Sequence, residues 1–290
     1  MEIAIVSGKG GTGKSCISAA FSAVAGQVVL ADCDVDAANQ YLLFNPQNEE
    51  EHVYVSGHTA EIDYTMCNEC GICLDHCAFD AISEKNAKMV IHPILCDGCF
   101  LCSRVCPVEA ISMVPNDRSK MHAGDFRYGK MAYGRLAPGE ENSGRLVQMV
   151  REKAAELAEK SGISTILLDG PPGIGCPVSS TITGTDKVVM VTEPTVSGFS
   201  DLKRVADMAA NYTMKRYVII NKYDLNPVLT KQIADWCRGQ QITIAGYLPF
   251  DEVVVKAMVN QMTVTEFAPG SEISQLLVQA WNNLHLTEES

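Results

Sequence analysis

Residues Gly8-Lys9-Gly10-Gly11-Thr12-Gly13-Lys14-Ser15 fit the pattern G-x-x-x-x-G-K-[ST]. In such a loop the glycines let successive backbone N–H groups close around phosphate oxygens. Lys14 reaches the β and γ phosphates, and the Ser15 hydroxyl is placed to meet Mg²⁺ at a helix N-terminus. An apolar run precedes the loop and a helix is predicted over 16–25, which is the context this chemistry requires. A little further on, Asp32, Asp34 and Asp36 place three carboxylates two residues apart at the end of a second apolar run. Strand alternation puts Asp32 and Asp34 on one side, where like charges are costly unless a cation or phosphate-bound Mg²⁺ shares them. Asp36 is expected to cap a helix.

Cysteine spells a second chemistry. Cys67, Cys70, Cys73 and Cys77, then Cys96, Cys99, Cys102 and Cys106, repeat the spacing C-x2-C-x2-C-x3-C, with Pro107 after the second run and Ala78 after the first. Short x2 loops let consecutive thiolates converge on a cluster of soft metal, whereas a single four-coordinate Zn²⁺ has no need of two overlapping runs. In a reducing compartment such cysteines are read as metal ligands or redox thiols before disulfides. Of the remaining four, Cys16 opens the helix after the phosphate loop, Cys33 and Cys237 read as packing residues, and Cys176 reads as a buried small side chain. The six histidines form no spaced pair, and Met258 and Met262, on one helical face, are expected in the core.

The elements that must position these groups follow from hydrophobic patterning. Continuous, largely β-branched runs at 3–7, 28–32, 164–168, 187–192, 217–221 and 242–248 read as buried parallel strands. Helical patterns lie between them, from Asn142/Ser143 to a stop at Gly162 and over 198–211, 228–238, 251–262 and 271–284. This alternation predicts an α/β fold, a doubly wound, mostly parallel sheet that binds ligands beyond the carboxyl ends of its strands. Residues 61–115 break the rhythm, with eight of the twelve cysteines and eight acidic residues against three basic ones. They read as an inserted domain stapled by metal, because some fifty residues seldom fold on an apolar core alone. The α/β domain then comprises 1–60 and 116–290, with the glycine-rich stretch 116–142 as a loop-rich return path. Lys plus Arg 23 against Asp plus Glu 35 gives a net charge of −12, the wrong sign for gathering nucleic acid or anionic lipid. No secretory leader opens the chain and no apolar run reaches the ~18 residues of a membrane span, so a cytoplasmic location is expected, with neither membrane nor nucleic acid as partner.

The phosphate loop, with its early lysine, resembles the deviant Walker A loop of the MinD, ParA, Mrp and nitrogenase iron protein superfamily of P-loop ATPases. The cysteine array resembles that of bacterial two-cluster ferredoxins. Over nearly its whole length the chain is similar to MinD-superfamily ATPases with an inserted ferredoxin domain. The motifs alone fit ATP or GTP; the resemblance implies ATP with Mg²⁺, held in a sandwich dimer of two copies or of this chain with a similar ATPase. Lys9 would then cross to the partner's phosphates, Lys14 would bind and polarise the phosphates, and Asp34 would position the attacking water. Gly8, Lys9, Gly10, Gly11, Thr12, Gly13, Lys14, Ser15 and Cys16 would cradle the nucleotide, and Ser15, Asp32 and Asp169 would attend the Mg²⁺. Asp169 opens Asp169-Gly170-Pro171-Pro172-Gly173, the D-x-x-x-G element in which the Gly173 N–H senses the γ-phosphate. Asn221 and Lys222, and Pro249 in Leu248-Pro249-Phe250-Asp251, match the positions that read and pack adenine. Glu193-Pro194-Thr195 matches a strand-end loop to which no role is assigned.

In the ferredoxin pattern the fourth cysteine of each run ligates the other run's cluster. One 4Fe–4S cluster would take Cys67, Cys70, Cys73 and Cys106, and the other Cys96, Cys99, Cys102 and Cys77. A pair of Cys176 residues across a symmetric dimer offers a second reading of that position, as a bridging metal or cluster ligand. The function expected from these parts is an ATPase that couples nucleotide state to electron transfer, or to iron–sulfur or metal-cluster assembly, on a redox or metallocluster client protein. One alternative is a positioning or scaffold ATPase like MinD or ParA, with structural clusters. Against it stand the low basicity and the acidic end Trp281–Ser290, which lacks a basic amphipathic anchor. Another is a simple electron carrier with a vestigial nucleotide site, which the intact Lys14, Ser15, Asp34 and Asp169 disfavour.

Overall fold

The computed structural model describes residues 1–140 and 143–286. The expected cap at Asn142 and the acidic end 287–290 lie outside the described residues. The chain divides into two compact units, Met1–Glu51 with Met121–Arg135 and Ser143–Ser290, and His52–Lys120 with Leu136–Asn142.

In chain order the elements begin with β1 (Glu2–Ser7), α1 (Lys14–Ala25), β2 (Val28–Asp32), α2 (Gln40–Phe44) and β3 (Gln47–Tyr54). The second unit contributes β4 (His58–Ile62), α3 (Ile72–Asp75), β5 (Ile82–Lys85), β6 (Lys88–Ile91), α4 (Leu101–Val105) and β7 (Ile111–Pro115). The chain continues with β8 (Ser119–Phe126), β9 (Gly129–Arg135), α5 (Ser143–Ser161), β10 (Ile166–Pro172), α6 (Cys176–Ile182), β11 (Lys187–Thr192) and α7 (Val196–Ala209). It ends with β12 (Lys215–Asn221), α8 (Pro227–Gly239), β13 (Thr243–Leu248), α9 (Val253–Val259), α10 (Val264–Phe267) and α11 (Glu272–His285). Among the described residues no helix is long and apolar enough to cross a membrane.

The main sheet has nine strands in the order β13-β12-β11-β1-β10-β2-β9-β8-β3, and every pairing from β13 to β9 is parallel. Its central strands are covered on both faces, which is why Ile3–Val6, Val28–Ala31 and Val188–Met190 are unbroken apolar runs with no exposure. Because β1 lies between β11 and β10, and β10 lies beside β2, the turn after β1 and the acidic ends of β10 and β2 share one carboxyl edge. α1 buries Ile17, Ala20 and Phe21 against the sheet and α11, with the Phe21 ring centroid 5.3 Å from that of Trp281.

Two expectations are corrected here. The stretch 116–142 is not a loop: it carries β8 and β9, which extend the main sheet. Gly134 marks close approach rather than a turn, since a Cβ there would lie 2.6 Å from Val35 Cγ1 and 3.0 Å from Leu146 Cγ. The helix expected over 251–262 stops at Val259, and Met258 is exposed rather than in the core.

In the second unit β4 pairs with β7 and β5 with β6, both antiparallel, around a small core of Ala60, Cys73, Ile82, Met89 and Ile111. The duplication read from the cysteines recurs in the backbone with the same offset of 29 residues. Left-handed residues flank the second cysteine of each run, Glu69 and Gly71 in the first, Gly98 and Phe100 in the second, and follow the fourth cysteine at Asp80 and Glu109. These kinks start α3 and α4, each of which carries the third cysteine of its run at its second residue. The returning segment is fastened by Glu140, whose buried carboxylate accepts from the Ser56 hydroxyl at 3.0 Å and the Ser119 N–H at 3.2 Å.

The sheet extension is tied to the C-terminal helices by Arg127, in the turn between β8 and β9. Its guanidinium forks onto Glu266, with Nε to Oε1 at 2.7 Å and Nη2 to Oε2 at 3.0 Å. Glu266 also closes a capping box with Thr263 at the start of α10. Partial burial would raise the Glu266 carboxyl, but hydrogen bonds from Arg127, Tyr128 and Thr263 outweigh it and hold the group at about 2. A depressed carboxylate contributes stability above its unfolded pKa and loses it as pH falls through the folded one. Glu266→Gln is therefore expected to cost ~1–2 kcal/mol near neutral pH. In urea unfolding at a series of pH values, its difference from the wild type should shrink below pH ~4.5 and vanish towards pH 2.

Candidate functional site

The loop after β1 is shaped by its own backbone and by the end of β12. Gly13 has φ 94°, and a Cβ there would come 2.5 Å from Asn221 Nδ2, so this position accepts only glycine. The Asn221 side chain donates to the Thr12 carbonyl at 2.8 Å and accepts from the Lys222 N–H at 3.0 Å, while Lys222 Nζ donates to the Gly11 carbonyl at 3.3 Å. Beside the loop lies a cavity of about 260 Å³, whose walls include Gly11, Gly13, Cys16, Asn221, Lys222 and Pro249. Six of the positions named from sequence for the nucleotide are thus gathered on one cavity. Its remaining walls are largely apolar, which suits the face of a planar base. Asn221, expected as a base reader, spends both ends of its amide on the loop and on its own neighbour.

Lys14 is buried at the first residue of α1, with Nζ 4.0 Å from Asp34 Oδ2. Asp32, the last residue of β2, is the register partner of Asp169 in β10, and both are fully buried. Asp32 Oδ2 accepts from the backbone N–H groups of Asn39 and Gln40 at 2.9 and 3.0 Å, and Oδ1 accepts from that of Asp34 at 3.2 Å. Asp169 Oδ1 accepts from the Ser18 hydroxyl at 2.9 Å, and Oδ2 from Gln40 Nε2 at 2.8 Å. Burial, then the Asp169 charge, pushes the Asp32 carboxyl up to about 8 against the pull of the Gln40 and Asn39 N–H groups. Burial also raises Asp34, which the Lys14 ammonium partly offsets. The Gly173 N–H donates to the Ser7 carbonyl at 2.8 Å. Lys9 turns back onto its own chain, where its Nζ meets Glu193.

Sequence reasoning missed Gln40 and Ser18 as parts of this edge, and placed Glu193 in a strand-end loop without a role. Gln40 Nε2 also donates to the Ser15 carbonyl at 2.9 Å, so one amide ties the start of α1 to the end of β10. Gln40 belongs to no spaced motif; for Ser18, a hydroxyl on the otherwise apolar face of α1 was the available signal. Two expectations differ from the structure. Asp36 is exposed in the turn after β2 and caps no helix, because the following helix begins only at Gln40 with Asn39 before it. Cys176 is exposed at the first residue of α6 rather than buried. At Cys16 burial, then the Asp169 charge, pushes the thiol up to about 11, and its Sγ lies 3.0 Å from Met258 Sδ.

In the second unit two small cavities are each ringed by four cysteines, Cys67, Cys70, Cys73 and Cys106 in one, and Cys77, Cys96, Cys99 and Cys102 in the other. Each ring takes three thiols from one run and the fourth from the other. Among the described residues no three His, Cys, Asp or Glu are gathered tightly enough for a single metal ion. Four thiols spread around a void suit the ligands of a metal cluster better than those of a single ion. The Ala110 N–H donates to Cys106 Sγ at 3.2 Å.

The family model for the CobQ/CobB/MinD/ParA nucleotide binding domain matches residues 3–264. The uncharacterized protein MJ0578 of Methanocaldococcus jannaschii is 31% identical over 287 residues, covering 98% of this chain and 96% of that protein. A ferredoxin of Pyrobaculum islandicum is 33% identical over 85 residues, 28% of this chain and 76% of its own length. Among solved structures, the septum site-determining protein MinD of Pyrococcus horikoshii, complexed with Mg-ADP, superposes with a TM-score of 0.59 at 17% identity, over 98% of this chain and 95% of that one.

The double use of the Gln40 amide carries a prediction about the unliganded edge. Gln40→Leu leaves the Asp169 carboxylate and the Ser15 carbonyl without this donor at a buried position. It is expected to lower stability by ~1–3 kcal/mol, read as a fall in the urea midpoint at unchanged slope.

Proposed function

Because the chain belongs to the CobQ/CobB/MinD/ParA nucleotide-binding domain family, we propose that it is a dimeric ATPase whose nucleotide state is coupled to one-electron or metallocluster chemistry in its second unit. The observation that carries this reading is the presence, in one chain, of a phosphate loop beside a base-sized cavity and of two crossed rings of four cysteines. The likeness to ferredoxins over the cysteine-rich segment supports the second half of it.

In this reading the N–H groups of residues 10–15 and the Lys14 ammonium hold the polyphosphate of ATP. Ser15, with Asp32 and Asp169 behind it, would hold Mg²⁺, which supplies charge neutralisation at the β and γ oxygens. Asp34, close to Lys14 at the same edge, orients the attacking water. Asp32 already turns its oxygens to the N–H groups of the 34–40 segment, so a cation arriving here competes with the backbone of that segment and can move it. Gly173, bonded to Ser7, offers the same exchange on the other side of the loop: its N–H leaves a carbonyl for a γ-phosphate oxygen. The pocket formed with Pro249 excludes water from the base.

The 52–120 unit is assigned to the two 4Fe–4S clusters, bound by Cys67, Cys70, Cys73 and Cys106 and by Cys96, Cys99, Cys102 and Cys77. Bound there, they would supply reversible one-electron storage. The part of the eight cysteines would be to hold the clusters, four sulfur ligands to each. A client protein of redox or metallocluster type would then be served in step with hydrolysis.

Two measurements test this. Anaerobically purified protein is expected to turn over ATP at rates that differ between its oxidised and dithionite-reduced forms, with Lys14→Ala abolishing turnover in both; equal rates would overturn the coupling. Crossed ligation predicts that Cys77→Ser and Cys106→Ser each remove about half of roughly eight irons per chain, losing different clusters by electron paramagnetic resonance. Full iron in either variant would remove that cysteine from the ligand set.

A further inference from the structure

Glu193, the first residue after β11, receives both of the lysines that flank the phosphate loop. Its Oε1 lies 2.6 Å from Lys9 Nζ, and its Oε2 accepts from Lys222 Nζ at 3.1 Å. Lys9 Nζ also donates to Thr195 Oγ1 and Ser197 Oγ, each at 3.2 Å. An ammonium has three N–H donors. Those of Lys9 are therefore spent on three acceptors of its own chain, all from the single segment that begins α7. None is left for a phosphate on another molecule.

We propose that Glu193 is the positioning residue of the nucleotide site, a latch that parks Lys9 within its own protomer until ATP-driven pairing offers it a better anion. The proposal rests on the sandwich reading given above and assigns a role to a residue which that reading leaves idle. The exchange is feasible because the carboxylate is shared. When Lys9 departs, Lys222 stays on the other oxygen, itself steadied by the Gly11 carbonyl, so Glu193, with a side chain only 16% exposed, is not abandoned as an unpaired charge. A partner's triphosphate, with more charge than one carboxylate, wins the competition; an empty or poorly charged site does not. Glu193 thereby sets the threshold for pairing, and Thr195 and Ser197 return the lysine to its rest position.

A latch and a prop predict opposite signs. If Glu193 only braced the loop, neutralising it would weaken ATP-dependent pairing; if it restrains Lys9, neutralising it strengthens pairing. The test is sedimentation velocity of the anaerobically purified full chain with Mg²⁺ and a non-hydrolysable ATP analogue over a range of protein concentrations. Glu193→Gln is expected to lower the half-dimerisation concentration about fivefold. Glu193→Asp, which keeps the charge but shortens the reach, should fall between it and the wild type, and decides the matter should Glu193→Gln not fold. A wild type that pairs while Glu193→Gln pairs equally or less well overturns the latch and leaves the sandwich standing. A wild type and a Glu193→Gln that both stay monomeric at every concentration overturn latch and sandwich alike.

Discussion

Two carboxylates buried side by side, Asp32 and Asp169 in register on neighbouring parallel strands, are the constraint around which the rest of the nucleotide edge is arranged. Two like charges cannot share a dry site without donors or cations to answer them. The chain answers with what folds near them: the N–H groups of residues 34, 39 and 40, the hydroxyl of Ser18 and the amide of Gln40. The loop after β2 therefore has little choice of path. It must bend so that successive N–H groups face Asp32, and that bend delivers Asp34 to Lys14 and Gln40 to the start of α1.

The same economy governs the cations. Lys14 faces Asp34, whereas Lys9 and Lys222 share Glu193, so three lysines around one loop are distributed over two carboxylates at the same edge. A highly charged ligand entering such an edge would exchange partners instead of filling bare space. Phosphate oxygens would replace carboxylates on the lysines, and a divalent ion would replace N–H groups on Asp32. Each replacement frees a backbone or side-chain group that had been fixed, which is how a small chemical difference at one phosphate can be expressed as a displacement of whole segments.

Much of this was legible before any coordinates. The phosphate loop, the strands that carry it and the paired cysteine runs have short, strict spacings, because several groups from one stretch of chain must meet one ligand. What escaped was held by contacts distant in sequence. β8 and β9 hide behind glycines that sequence patterning assigns to loops, yet Gly134 is glycine because Val35 and Leu146 crowd it. Gln40 bridges residues 25 and 129 positions away, and no local pattern announces that. Asp36 reads as a cap from its type alone, but the helix it would start begins four residues later, after the chain has finished turning around Asp32. Cys176 reads as buried because small thiols usually are, and its exposure depends on where α6 begins.

The crossing of the two cysteine runs has a consequence for how the protein is made. Each ring of four thiols draws on both runs, so one waits for Cys102 and the other for Cys106 to emerge from the ribosome, although three cysteines of the latter ring have been present since residue 73. The first half of the repeat cannot mature by itself; both rings wait for the second run. By then β1, α1 and β2 have long been synthesised, while β10 and everything that completes the nucleotide edge are still to come. Order of synthesis thus separates the two chemistries of this chain in time, placing the closure of the thiol rings before the assembly of the phosphate site.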